Sequence, residues 1–147
     1  MTVEIRPFRR EDTRSVLELA NSFAAFDGTT SEADLAVIGY FPNGICVAES
    51  EGRVVGFAYG CFKDVPGEVL ERWGATKVGE VELLVVHPHY RDKGIGKSLL
   101  ARLLDEFKNA GADTILLNCP VVATEAKGLY DKMGFEVKSY QMKKRLT

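Results

Sequence analysis

The chain has 147 residues, 46% of them apolar and 27% charged, with 14 Gly and 5 Pro, the profile of one ordinary globular domain. A chain of this length buries roughly 68 to 70% of its unfolded surface, so it needs neither a disulfide nor a metal to fold. Nineteen basic and 21 acidic side chains give a formal charge of -2, too balanced to collect nucleic acid or anionic membrane through an overall field, so any anionic ligand must be held locally.

Residues 3–8 alternate like a short strand, and Asp12 is placed to cap a helix carrying Val16, Leu17, Leu19, Ala20 and Phe23. Ser31 offers a second cap, ahead of a short helix through Leu35 and Ile38. Residues 45–49 and 53–62 flank Ser50-Glu51-Gly52, the pattern of a hairpin with a Gly-containing turn. Residues 63–79 are polar and interrupted by Pro66, Gly67 and Gly74, with room for one helical turn at Val69, Leu70 and Trp73. A strand is expected over residues 80–86, closed by Pro88. Ile95, Leu99, Leu100, Leu103, Leu104 and Phe107 then fall at helical spacing, with Gly111 where a C-terminal cap belongs. Residues 114–118 read as a buried strand. Val122, Ala126, Leu129, Tyr130 and Met133 read as an amphipathic helix stopped by Gly134, and residues 135–138 and 140–146 as a closing hairpin. The expected fold class is α/β, a mixed sheet with helices packed on it, in one domain spanning residues 1–147.

Cys46, Cys61 and Cys119 are far apart and odd in number, which suits reduced thiols acting as small core hydrophobes in a cytoplasm. No stretch approaches 18 consecutive apolar residues, and the first residues do not read as an export leader. The expected setting is therefore cytoplasmic, away from membranes.

The chemically informative stretch runs from Val81 to Ser98 as strand, turn and helix. Gly94 and Gly96, two apart at a helix start, let the backbone turn tightly and expose successive N–H groups; with the positive end of the helix dipole these form a site for phosphate oxygens. Arg91, Lys93 and Lys97 add charge, Ser98 adds a hydroxyl, and Asp92 and Ile95 complete the turn. The spacing is not that of G-x-x-x-x-G-K-[ST], and Leu99 replaces the last glycine of G-x-G-x-x-G, so nucleotide hydrolysis and Rossmann-type redox are disfavoured. The bland alternative is a simple strand-to-helix turn among solvated cations.

Here the chain resembles the GNAT-type N-acetyltransferases, whose acetyl-coenzyme A signature is a strand followed by [RQ]-x-x-G-x-[GA] at a helix start. In this sequence it stands as Arg91-Asp92-Lys93-Gly94-Ile95-Gly96, after Leu84-Val85-Val86-His87-Pro88-His89-Tyr90. Ile5-Arg6-Pro7-Phe8-Arg9-Arg10-Glu11-Asp12 is similar to the family's first strand and helix start, and Val47-Ala48-Glu49-Ser50-Glu51-Gly52-Arg53-Val54-Val55-Gly56-Phe57 to its central hairpin. Ala126-Lys127-Gly128-Leu129-Tyr130-Asp131-Lys132-Met133-Gly134-Phe135 is similar to its second cofactor segment, A-x-x-L-Y-x-x-x-G-F; Arg91 and Tyr130 are about forty residues apart. The family often carries Asn seven positions before that Tyr, where this chain has Ala123, so Asn118, Thr124 or a backbone group would stand in for it.

The resemblance implies acetyl transfer from acetyl-coenzyme A to a primary amine of a small molecule or peptide, by direct attack in a ternary complex. It gives the backbone of Leu84, Val85 and Val86 the pantetheine arm, with an N–H near Val85 or Val86 polarising the thioester. Glu82 stands where many members have the carboxylate that takes the amine proton; it is read on the strand face of Leu84 and Val86, with Glu80 in reserve, and with a water or a merely solvated carboxylate as the alternatives. Tyr130 matches the Tyr that protonates or orients the leaving thiolate, or is a core aromatic. His87 and His89 lack the further ligands a metal site needs, and the cysteines lack any signal of nucleophile activation. Lys143, Lys144 and Arg145 read as a solvated terminal strand rather than a nucleic-acid patch. Phe23, Phe26, Asp27, Tyr40, Asp64, Glu68, Glu71 and Trp73 are candidate acceptor linings. A non-catalytic acyl-coenzyme A-binding module is the rival reading, and a homodimer stays open.

Overall fold

The computed structural model describes residues 2–23 and 41–147. The expected helix at Ser31, Leu35 and Ile38 lies outside the described residues, as do Phe26, Asp27 and Tyr40. The elements are β1 (Val3–Pro7), α1 (Thr13–Phe23), β2 (Ile45–Ser50), β3 (Arg53–Lys63), α2 (Gly67–Trp73), β4 (Val78–Val86), α3 (Ile95–Asn109), β5 (Thr114–Leu117) and α4 (Thr124–Lys132). The strands form one sheet in the order β1-β2-β3-β4-β5, antiparallel through β4, with β5 parallel to β4. This is the expected mixed α/β sheet. Ser50 pairs with Arg53, and Glu51 and Gly52 between them have φ of 51° and 77°, a two-residue turn whose twist matches that of the strands it joins.

Strand alternation divides the apolar residues of the sheet between two layers. On one face α1 packs Val16, Leu19 and Ala20 against Ile45, Val47, Phe57, Tyr59 and Val85. On the other, α3 packs Ile95, Leu99, Leu100, Leu103 and Phe107 against Cys46, Ala48, Ala58 and Val81. Each fully buried side chain of this size contributes about 1.5 to 3 kcal/mol, so α3, whose Leu99, Leu100, Leu103 and Phe107 are all inaccessible, is the main clamp on the sheet. Phe107 needs space that the strands supply by omission: a Cβ at Gly60 or Gly79 would stand 2.7 or 2.5 Å from its ring.

Asp12 was expected as the cap of α1. Instead it ends a 3-10 turn at Arg10–Asp12, and its carboxylate accepts two hydrogen bonds from the Arg6 guanidinium, at 2.8 and 2.9 Å, and one from the Arg9 N–H at 2.8 Å. Glu49 also accepts from Arg6, at 3.3 Å. Arg6 and Asp12 are both buried, so the pair ties β1 to the start of α1. The Arg6 hydrogen bonds hold the Asp12 carboxyl below the usual carboxylate range. A depressed acid pKa contributes stability that is complete above the unfolded value, about 3.9, and is lost as pH falls through the folded one. We expect Asp12→Asn to cost about 3 kcal/mol, because it leaves the buried Arg6 guanidinium with only Glu49, at 3.3 Å, as a counter-charge. Thermal unfolding should show the wild type losing stability below about pH 4 more steeply than the variant.

Two further expectations are corrected near the C-terminus. β5 is half-buried along its whole length rather than buried, because it is an edge strand. Residues 135–147 contain no strand, so the closing hairpin at 135–138 and 140–146 does not form. A hairpin needs at least two loop residues able to adopt turn geometry; here only Ser139 lies between the segments, and none of residues 135–147 is Gly, Pro, Asn or Asp. Lys143, Lys144 and Arg145 are accordingly exposed on irregular chain. Val122 precedes α4 instead of lying on its apolar face and is exposed.

Candidate active site

β4 and β5 part company midway. Val78 to Val81 pair with Thr114 to Leu117, where β5 ends, and residues 82–86 continue along β3 alone. Among the described residues no strand pairs with Leu84, Val85 or Val86 on that side, so backbone groups of β4 face an open wedge. The wedge points toward the start of α3, because the Pro88–Tyr90 turn and the loop after it lead directly from β4 into that helix.

The split coincides with a bulge. Tyr59 pairs with Leu83 and Gly60 with Val81, leaving Glu82 as the extra residue of β4. An extra residue inverts the alternation beyond it: Val81 packs under α3, whereas Val85, four residues on, packs under α1. Glu82 was expected on the face of Leu84 and Val86, but those two pack against the α3 layer, while Glu82 lies beside Cys61, which pairs directly across from Glu80. Glu80 and Glu82, two residues apart, share a face by ordinary alternation, and the bulge takes Leu84 and Val86 off it.

Within that group the Cys61 thiol donates to Glu82 Oε1 at 3.4 Å, and Lys63 Nζ stands 3.2 Å from Glu80 Oε2. Burial pushes the Cys61 thiol up to about 11, helped by the negative Glu82, so it stays protonated and donates. The Glu82 side chain reaches solvent, yet the protein atoms around its carboxyl raise its pKa above the ordinary value; the Cys61 hydrogen bond opposes this and nearby Glu80 adds to it. Glu80, paired with Lys63, is the more committed of the two carboxylates.

The glycine turn has the form needed for an anion. Gly94 is the N-cap of α3 at φ 78°, and no side chain caps the helix there. Only glycine adopts that conformation without strain. The first N–H groups of a helix lack internal partners, and the bond from Ser98 N–H to Gly94 O, at 3.1 Å, is the first that α3 makes. The amides of Ile95, Gly96 and Lys97 are therefore available. Ile95 turns its side chain into the core and contributes backbone alone. Arg91, Asp92, Lys93, Lys97 and Ser98 are exposed around the turn, Asp92 at φ 60°. Arg91 donates from Nε to Val86 O at 3.1 Å, which pins the turn to the end of β4. Gly96 sits where three elements meet: a Cβ there would lie 3.7 Å from both Val86 and Leu129.

Leu129 and Tyr130 belong to α4, which packs against the α3 layer. Tyr130 is half-buried, with its ring 5.8 Å from that of Phe135. Burial, and to a lesser degree Cys119, raises its pKa, so the phenol is a proton carrier and not a phenolate. Thr124 opens α4, whose N-cap Ala123 offers no side-chain bond; Asn118 follows β5, and both Thr124 and Asn118 are exposed. Phe23, Asp64, Glu68, Glu71 and Trp73 are not drawn together: Phe23 lies against His87, ring to ring at 5.0 Å, while Trp73 stacks under Lys138 Nζ at 4.4 Å. His87 Nδ1 accepts from the His89 N–H at 3.1 Å. No group of three or more His, Cys, Asp or Glu among the described residues is arranged to hold a metal.

The residue that sequence reasoning missed is Cys61. Its only signal was cross-strand register, and the bulge shifts that register. The Arg91 bond to Val86 was likewise invisible, because the motif marks Arg91 only as a cation near phosphate.

Known proteins resemble this chain along most of its length. The profile of the acetyltransferase (GNAT) family matches residues 13–135. A rice (Oryza sativa subsp. japonica) protein named "Probable glucosamine 6-phosphate N-acetyltransferase 2" is 35% identical over 96% of this chain and 86% of its own. The crystal structure of glucosamine-6-phosphate N-acetyltransferase from Arabidopsis thaliana superposes with a TM-score of 0.75 at 26% identity, covering all of both chains. Arabidopsis thaliana Naa50, in complex with a bisubstrate analogue of coenzyme A and a peptide, shares the fold at a TM-score of 0.75 and 19% identity, over 95% of this chain and 86% of its own. The chain belongs to the GNAT family and is an acetyl-coenzyme A-dependent N-acetyltransferase.

Proposed function

We propose that acetyl-coenzyme A lies in the wedge between β4 and β5 and that a primary amine attacks its thioester directly. The observation that carries this reading is the end of β4–β5 pairing at Val81 and Leu117, in front of an uncapped helix N-terminus. The amides of residues 95–97, with Arg91, Lys93, Lys97 and Ser98 around them, hold the pyrophosphate. Backbone groups of Leu84, Val85 and Val86 hold the pantetheine arm, and one N–H among them polarises the carbonyl. In place of the family's Asn, where this chain has Ala123, Asn118, Thr124 or a backbone group supports the same arm.

Glu82, its proton affinity raised by its surroundings, takes the amine proton directly or through water. The Tyr130 hydroxyl hands a proton to the departing thiolate. An acetyl-cysteine intermediate is unneeded: the Cys46 and Cys61 thiols, each pushed up to about 11 by burial, hold too little thiolate to act as nucleophiles. The rice and Arabidopsis relatives make glucosamine 6-phosphate the first acceptor to try, in a cytoplasmic setting that keeps the three free thiols reduced. Release of coenzyme A with a panel of amino sugars, polyamines and peptides tests the reading. A protein that binds coenzyme A yet releases none with any amine is a binding module instead.

Tyr130→Phe isolates the acid. A donor to the leaving thiolate acts mainly in the transition state, so the acetyl-coenzyme A dissociation constant should change little while turnover falls about 5-fold to 150-fold, or about 1 to 3 kcal/mol. Single-turnover rate and melting temperature on one preparation decide the matter. Full rate with lowered stability would leave Tyr130 a packing residue against Phe135.

A further inference from the structure

Two neighbouring strands place four side chains together on one face of the sheet. On β3, Tyr59 packs in the α1 layer and Phe62 in the α3 layer, so alternation turns Cys61 and Lys63 toward the α1 side. On β4, Val81 packs in the α3 layer, which turns Glu80 and Glu82 the same way. Lys63 Nζ stands 3.2 Å from Glu80 Oε2, and the Cys61 thiol donates to Glu82 Oε1 at 3.4 Å. Neither contact joins direct cross-strand partners, since Lys63 pairs with Val78 and Cys61 with Glu80. Each β3 side chain instead reaches two residues further along β4, toward the wedge.

The two contacts are chemically unlike. Glu80, whose side chain is 17% exposed, receives a cation; Glu82 receives a neutral, weak donor and reaches solvent. Two carboxylates on one face, two residues apart, do not ionise as independent groups: the one beside an ammonium keeps its charge, and the other takes the first proton. The Cys61 thiol, pushed up to about 11 by burial, remains a donor throughout the range in which carboxylates titrate. Other charges do not blur this division. The groups that act on Glu82 are Glu80, Cys61 and Lys63. Tyr59, next on that face of β3, is buried under α1, and Arg14 and Glu18 of α1 pair with each other in solvent. β5 contributes Thr114, Ile115, Leu116 and Leu117, which carry no titrating group.

We infer that Cys61 and Lys63 are positioning residues for acetyl transfer: Lys63 commits Glu80 to an ion pair and Cys61 holds the Glu82 carboxylate, so that Glu82 and not Glu80 takes the proton released as the amine nitrogen bonds to the acetyl carbon. The inference rests on the reading of Glu82 as the base and adds the reason that this carboxylate, of the two available, fills the role. Both β3 residues act through the carboxylate that each one holds. A thiol suits position 61 because a stronger donor would favour the charged form and weaken Glu82 as a base, whereas no donor would leave its carboxylate unanchored.

The test titrates the carboxyl carbons of the full chain by NMR, with carbon-13-labelled glutamate and with Glu80→Gln and Glu82→Gln to assign the two resonances. In the wild type Glu80 should titrate below Glu82. Cys61→Ser, with a stronger donor, should lower the Glu82 midpoint by about half a pH unit or more, and Cys61→Ala, with none, should raise it by a similar amount. Lys63→Met should raise the Glu80 midpoint by about one pH unit, closing the gap between the two. These swaps are small or lie at partly exposed positions, and the melting transition checks that each variant folds. Opposite shifts from Ser and Ala are a pattern that packing at position 61 does not produce. A Glu82 midpoint that neither Cys61 variant moves overturns the proposal, and so does a wild-type Glu80 that titrates at or above Glu82. The pH profile of kcat/KM, measured with an amine that releases coenzyme A, reports the base separately. The part of its rise that Glu82→Gln removes should move with the Glu82 midpoint in each Cys61 variant. Midpoints that shift under a fixed profile overturn the assignment of Glu82 as base and the proposal with it; fixed midpoints in an enzyme whose Glu82→Gln variant loses that rise overturn the proposal alone.

Discussion

Glu82→Gln is expected to lower turnover about 10²-fold or more at neutral pH while leaving coenzyme A affinity nearly unchanged. Glutamine keeps the size and the hydrogen bonding of the side chain but cannot accept a proton. The pH dependence carries the sharper signature. Crowding and the adjacent Glu80 raise the Glu82 pKa, so its basic form fills in at higher pH than an ordinary carboxylate would, and kcat/KM of the wild type should climb through that range. The Gln variant should lack that climb and keep only the part due to deprotonation of the acceptor amine. Because Cys61 donates to Glu82 and not to Glu80, the parallel variant Glu80→Gln should break the ion pair with Lys63 and have a much smaller effect on rate. A Glu82→Gln enzyme with wild-type rate and pH profile would transfer the role to Glu80 or to water.

Gly96→Asp is expected to abolish coenzyme A binding in a protein that still folds. The space at Gly96 permits the test: a Cβ there meets Val86 and Leu129 at 3.7 Å, ordinary contact distance, so the backbone need not move. What changes is charge. A carboxylate at the second residue of α3 would itself take up the free amides and the dipole, and would repel the incoming pyrophosphate. Gly96→Ala, which adds the Cβ without the charge, should bind far better than Gly96→Asp. Gly94→Pro should also abolish binding, but its φ of 78° is closed to proline, so it disturbs the turn itself. Calorimetric titration of the folded Asp variant with coenzyme A decides the point, and unchanged affinity would remove the turn from the cofactor site.

Much of this molecule could be read from local sequence. The Glu51-Gly52 turn, the apolar stripe of α3 ending ahead of Gly111, the uncapped Gly94-Ile95-Gly96 start and the A-x-x-L-Y segment all depend on residues within a few positions of one another, where φ preference, helical period and exposed amides act directly. What only the tertiary structure decided depends on strands that are distant in sequence. The bulge at Glu82 follows from how β3 and β4 register around Gly60, whose missing Cβ admits Phe107, a residue of a third element. That shift took Leu84 and Val86 off the face of Glu82, whose carboxylate accepts from Cys61, 21 positions away on β3. Asp12 has the composition of a helix cap, but the buried Arg6 guanidinium binds its carboxylate more strongly than a helix amide could. Alternation in residues 140–146 is real as a pattern, yet a strand exists only when another backbone pairs with it, and the described chain supplies none. Period, turn chemistry and capping potential are properties of short segments; register, face and pairing are properties of contacts between them, and so the face and the Cys61 partner of the candidate base Glu82, and the irregular course of residues 135–147, became visible only in three dimensions.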